Sequence, residues 1–161
     1  MYERIDVLSE FKYPEDGLLH LRGMFTADQV NNPNTLNLQG DRVRRVIKRG
    51  FSTNTTVGTL TRFMSFGRKY FSTGGIESFE VPILSHENDS GSFSRGGDSG
   101  SIIVSATGEF VALLTGGPTS LKDGSDITCV TLFEWGWEFV EEFPGANLYF
   151  DDHEAFLADM A

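Results

Sequence analysis

Cysteine is almost missing from this chain of 161 residues: only Cys129 occurs, so no internal disulfide can form and no cysteine-rich zinc pattern exists. Histidine is nearly as scarce. The three present, His20, His86 and His153, are scattered without ligand spacing, which leaves no structural metal site and implies no cofactor. Lysine and arginine number 13 against 23 acids, and the net charge of -10 repels phosphate backbones and anionic lipid at long range. Nucleic acid and membrane surfaces are therefore excluded as partners. Long apolar runs are absent too, and "MYERIDVLSEF" carries charges where a secretory leader has an apolar core. The chain reads as soluble and cytoplasmic.

What is present is material for one core: hydrophobic residues make up 39% of the chain, including 14 Phe. No internal repeat or low-complexity segment interrupts it. Residues 1–40 are punctuated by Pro14, Gly17, "NNPN" and Gly40, and only "LLHLRGMF" suggests a short apolar element. This predicts an irregular N-terminal segment lying over the domain that follows. From residue 41 the pattern changes to strands rich in Val, Ile, Thr and Phe: Arg42–Lys48, Thr55–Phe66, Ile76–Leu84, Ser101–Ser105, Glu109–Gly117 and Asp126–Leu132. Pro82 in the third predicts an edge or a bulge, because proline cannot donate to a ladder.

One helix is predicted, in "LFEWGWEFVEEFP", where Phe133, Trp137 and Val140 recur at helical spacing and Pro144 ends the run. The expected fold is all-β: a six-stranded antiparallel barrel over residues 41–132, closed because closure removes sheet edges, followed by a helix and acidic tail over 133–161.

The stretch "SFSRGGDSGSIIV", Ser92 to Val104, is where chemistry concentrates. A serine hydroxyl reacts only if a base takes its proton and donors stabilise the charge on the attacked carbonyl. Gly96 and Gly97 permit backbone conformations in which the Gly97 and Ser99 amides turn toward one point beside Ser99 Oγ. Asp98 can hold such a loop by accepting hydrogen bonds or by pairing with a buried cation. The plainer reading is a glycine-rich turn with an incidental serine.

Other serine motifs fail on spacing. An α/β-hydrolase elbow needs glycine two residues after the nucleophile and then a helix, whereas Ser101 and a strand follow here. "STGG" and "LTGG" lack the lysine of a phosphate loop, and the acids of "EEFPGANLYFDDHE" read as a solvated face.

The run "FSRGGDSGSIIVSATGEFVALLTGG" resembles the nucleophile region of trypsin-like, chymotrypsin-fold serine peptidases, and the strand pattern with its C-terminal helix is similar to the second barrel of that family. "FKYPEDGLLHLRG", "VIKRGFSTNTTVGTL" and "SDITCVTLFEW" further resemble the C-terminal part of uncharacterised fungal proteins with a trypsin-like peptidase domain. The resemblance implies that Ser99 is the nucleophile, that Gly97 and Ser99 supply the oxyanion-hole amides, and that Asp98 orders the loop. It further implies that Thr115, Gly116 and Gly117 pair with substrate backbone and wall the specificity pocket. Phe93 falls at the pocket floor, where an aromatic speaks against specificity for basic residues.

The departure from the family is large, because no segment resembles the surroundings of the general-base histidine and its aspartate, which belong to the first barrel. The isolated chain is therefore expected to be inactive. His86 in "SHENDS", with Asp89 nearby, is one arrangement for an internal base, against the plainer reading of a loop histidine; His20 and His153 match no catalytic position. The implied partners are a peptide or protein substrate, and a first-barrel segment, a homodimer or a partner protein over the uncovered face. A non-catalytic interaction module is the other reading.

Overall fold

The computed structural model describes residues 15, 17–33, 35, 36, 40–86, 90–117 and 127–148. Its elements in chain order are α1 (Ala27–Asn31), β1 (Thr35–Leu36), β2 (Arg42–Gly50), β3 (Asn54–Leu60), β4 (Ser65–Phe71), β5 (Gly74–Ser85), β6 (Ile102–Ser105), β7 (Phe110–Gly116), β8 (Ile127–Leu132) and α2 (Phe133–Val140). The fold is mostly antiparallel sheet with a short C-terminal helix.

The strands are joined in the order β1-β2-β3-β5-β8-β7-β6, and β6 then pairs back onto β2 through Val46 opposite Ser105 and Lys48 opposite Ile103. Six strands thus form a ring of pairings. These are the six predicted from sequence, but the described residues hold eight strands. The two extra lie outside the ring: β1 pairs with β2 at Thr35 and Leu36, and β4 pairs only with β5.

The fourth strand corrects the reading of Thr55–Phe66 as one element, and Pro82 supplies the cause. Its carbonyl accepts from the Thr61 amide at 3.0 Å, but the ring nitrogen cannot return the bond, so the β3–β5 ladder stops at Leu60 opposite Ile83. Pro82 is neither at an edge nor at a bulge, for Cys129 of β8 flanks its other side. Released from β3, the chain turns back as the β4–β5 ribbon, with Gly74 at φ 141 closing the turn.

Inward positions of the ring carry one apolar cluster: Val46, Leu60, Val81, Ile83, Phe93, Ile103, Val111, Ala112, Leu114 and Val130 are buried together. A second cluster of Ile47, Val104 and Phe110 is covered from outside by Leu19, Met24 and Phe133. Phe110 meets Phe133 of α2 at a ring separation of 4.8 Å, and Trp137 stacks on Phe133. The remaining aromatics of α2, Trp135 and Phe139, pack edge to face at 4.8 Å and stay exposed.

The N-terminal segment is less irregular than predicted. Thr26 and Gln29 form a reciprocal capping box that starts α1, and Met24 bridges to Phe110.

Strand β2 organises both ends of the interior. With Val46 pointing inward, the two-residue period brings Arg44 and Lys48 inward on either side of it, 6% and 1% exposed. Arg44 is closed over by the α1 segment: its Nη2 donates to the carbonyls of Gln29 at 2.6 Å and Asn32 at 3.4 Å, and its guanidinium lies 4.5 Å from the Phe25 ring. Lys48 faces the opposite end, where the serine loop sits. No helix among the described residues is long and apolar enough to cross a membrane.

Candidate active site around Ser99

The loop from Ser92 to Ser101 is pinned from within by two buried side chains and from one side by β7. Phe93 enters the main core, and its carbonyl accepts from Thr56 Oγ1 at 2.8 Å. Asp98, 1% exposed, turns its carboxylate inward to Lys48 Nζ at 3.2 Å. Such an ion pair persists in an apolar interior only when its remaining lone pairs and protons are also satisfied.

The carboxylate oxygens are satisfied here, and two of the three ammonium protons are. Asp98 Oδ1 accepts from the amides of Ser52 at 2.7 Å and Thr53 at 3.3 Å; Oδ2 accepts from Thr53 Oγ1 at 2.7 Å and the Arg95 amide at 3.1 Å. Lys48 Nζ also donates to Thr53 Oγ1 at 2.5 Å and lies 5.4 Å from the Phe93 ring centre. Burial by itself pushes the Asp98 carboxyl up, but the Thr53 hydroxyl, the Arg95 and Ser52 amides and the Lys48 ammonium outweigh it. The group is held well below the usual carboxylate range.

Backbone bonds fix the rest of the loop. Asp98 N–H donates to the Arg95 carbonyl, Ser101 N–H to the Asp98 carbonyl, Gly100 N–H to the Leu114 carbonyl at 2.8 Å, and Leu114 N–H returns to Ser101 at 3.0 Å. Ser99 is left exposed within the second of two successive turns, the one closed by the Ser101 to Asp98 bond. Among the described residues, the Gly97 and Ser99 amides and the Ser99 hydroxyl have no hydrogen-bond partner within the protein. These are the groups that the chemistry of an acyl-transfer site requires.

Gly97 has two reasons to be glycine: its φ is 99, and a Cβ there would lie 2.5 Å from Ser52 Oγ, itself bonded to the Gly96 carbonyl at 2.6 Å. Gly97→Ala is therefore expected to cost ~1–3 kcal/mol, read as a lower urea midpoint; an unchanged midpoint would show the loop to be softer than this geometry.

The sequence reading did not find Lys48, Ser52, Thr53 or Gly50, whose missing Cβ would lie 2.4 Å from Asp98 Oδ1. The available signal was the inward phase of β2, which puts a lysine on the apolar face.

Thr115, Gly116 and Gly117 lie beside the Ser99 loop, joined to it through Leu114. The β7–β8 register shifts between Leu114 and Gly116, so Thr115 bulges outward, its hydroxyl 3.2 Å from both Glu80 Oε1 and the Cys129 carbonyl. Phe93, expected at the pocket floor, is 2% exposed, and its ring packs in the main core.

His86 is not brought to Ser99. Its ring nitrogens lie 3.0 Å and 3.3 Å from Arg45 Nη1, and no hydrogen bond joins it to the serine. His20 sits by the turn at Gly108, at the Arg44 end of the ring, while His153 and Asp89 lie outside the described residues. A cavity of about 500 Å³ lined by Phe25, Arg44, Arg45, Thr107 and Glu109 includes no residue of the Ser99 loop. The Glu109 carboxylate there already accepts from Ser105 and Thr107. Comparison with protein-family models and with curated protein sequences finds no match for the chain.

Proposed function

We propose that this chain is the nucleophile-bearing second barrel of a trypsin-like serine peptidase. The observation that carries the reading is the buried Asp98–Lys48 clamp, which holds Ser99 exposed while leaving the Gly97 and Ser99 amides unbonded within the described protein. The ring of six antiparallel strands supports the barrel.

In the complete enzyme Ser99 Oγ forms a bond to the peptide carbonyl carbon as the C=O electron pair moves onto oxygen, held by the two amides. A histidine from the first barrel takes the serine proton and passes it to the amine that leaves when the C–N bond breaks. The backbone of Thr115 to Gly117, beside the loop, would align the substrate.

The direct test is prolonged exposure of the chain to a fluorophosphonate, with the adduct mapped by mass spectrometry. Slow labelling confined to Ser99 and lost in Ser99→Ala is expected. Labelling elsewhere, or unchanged in Ser99→Ala, overturns the assignment. A non-catalytic interaction module is the second reading, favoured by the exposed aromatic side chains of the β4–β5 ribbon.

A further inference from the structure

Strands β4 and β5 run past the ring as a two-stranded ribbon. Gly74 to Glu80 of β5 are laddered to β4 alone, and only from Val81 onward does β5 pair with β8. Among the described residues, neither long edge of this ribbon has a strand beside it. At its far end Tyr70 stands opposite Gly75 and Phe71 opposite Gly74, so no side chain across the ladder covers either ring. Alternation along the strands puts Tyr70 on one face and Phe71, with Ile76, on the other. The three are 77%, 54% and 62% exposed, which places apolar surface on both sides of one tip.

Behind the tip the ribbon is braced. Phe66 and Phe79 rings lie 5.3 Å apart on the Tyr70 face, and the Arg68 guanidinium sits 5.5 Å from the Phe66 ring centre while pairing with Glu77 and donating to the Tyr70 hydroxyl at 3.3 Å. These contacts stiffen the stalk that carries the tip. Charge is distributed unevenly as well: Thr61 to Ile76 contain Arg62, Arg68 and Lys69 and no acid, in a chain that has 23 acids.

We propose that this tip enters the headgroup layer of a zwitterionic phospholipid membrane. A protein surface docked on a ribbon, or a strand added to its edge, leaves at least one face in water, whereas a lipid layer surrounds the tip and takes water from both faces at once. Aromatic side chains favour this layer, and Lys69 and Arg68 follow Tyr70 by ~3–7 Å along the strand, which brings them level with the phosphates. The unladdered backbone groups of the two edges set the depth. They bar the ribbon from the hydrocarbon core, where nothing satisfies them, but not from the hydrated headgroup boundary. The chain's charge of -10 repels anionic lipid, yet a phosphatidylcholine surface offers phosphates without net charge. The proposal stands independently of the chemistry at Ser99.

The test is flotation of the full chain with phosphatidylcholine vesicles, combined with an environment-sensitive dye attached through Tyr70→Cys or Ile76→Cys in a Cys129→Ala background. The native chain should float with the vesicles, and Tyr70→Ser with Phe71→Ser should weaken binding at least tenfold while leaving the circular dichroism unchanged, since both side chains are exposed. Because residues 70 and 76 lie on opposite faces, the dye should brighten and shift to shorter wavelength at both positions when vesicles are added. Absence of flotation overturns the proposal, as does flotation undiminished in the double serine variant or a dye response on one face only. Dye shifts that follow protein concentration without vesicles assign the tip to a second copy and overturn it too.

Discussion

Replacing Lys48 by methionine is expected to destabilise the fold by ~3–5 kcal/mol, because it leaves the Asp98 carboxylate charged, buried and without its cation. Asp98→Asn should be costly as well, since it strands the ammonium in the same place. Combining them should recover much of the loss: the asparagine carbonyl can still accept from Ser52 and Thr53, and neither side chain then carries charge. The double-mutant cycle, measured by urea unfolding, should therefore show a large favourable coupling. A Lys48→Met protein within ~1 kcal/mol of the parent would mean that water reaches this pair and screens it.

The same clamp fixes a pH dependence. Asp98 has a folded-state pKa lowered from its ordinary 3.8, so the folded form binds fewer protons than the unfolded form in acid. Its contribution is complete above the unfolded value, near pH 4, and fades as pH falls from there toward the depressed folded value. In Lys48→Met/Asp98→Asn that part of the acid slope should vanish.

The second large effect concerns the missing base. Loss of the histidine from a serine–histidine–aspartate site lowers kcat on the order of 10⁶-fold, and what survives comes from the oxyanion hole and binding. Supplying a trypsin-like first barrel, fused or in trans, should therefore accelerate fluorophosphonate labelling by several orders of magnitude. Mutating the supplied histidine or Ser99 should remove the gain. No acceleration would sink the peptidase reading. Fast labelling of the chain alone, abolished by His86→Ala, would instead identify an internal base. The structure argues against that outcome, since the His86 ring lies against Arg45 and makes no hydrogen bond to Ser99.

The six ring strands were legible because their β-branched residues alternate against a real core, and the Ser99 loop because glycine, acid and serine have backbone roles that show in any context. Strand β4 was not, since Phe66, Arg68 and Tyr70 face solvent and leave no apolar–polar alternation to read. Lys48 was hidden for another reason: its partner is 50 residues away, and no local pattern announces a pairing made only by closure of the ring. The helix α1 is signalled in the sequence by the Thr26 to Gln29 capping box, but its single turn is too short to show periodicity.

Because Arg44 and Lys48 project from a single strand, the N-terminal cap and the Ser99 loop hang from opposite ends of one rigid rod about 13 Å apart. Each can detach without the other, but neither can stay ordered once β2 leaves the ring. Hydrogen exchange should therefore resolve two separate low-energy openings, one reporting on α1 and one on the Ser99 loop, while the amides of Val46 and Ile47 exchange only through global unfolding.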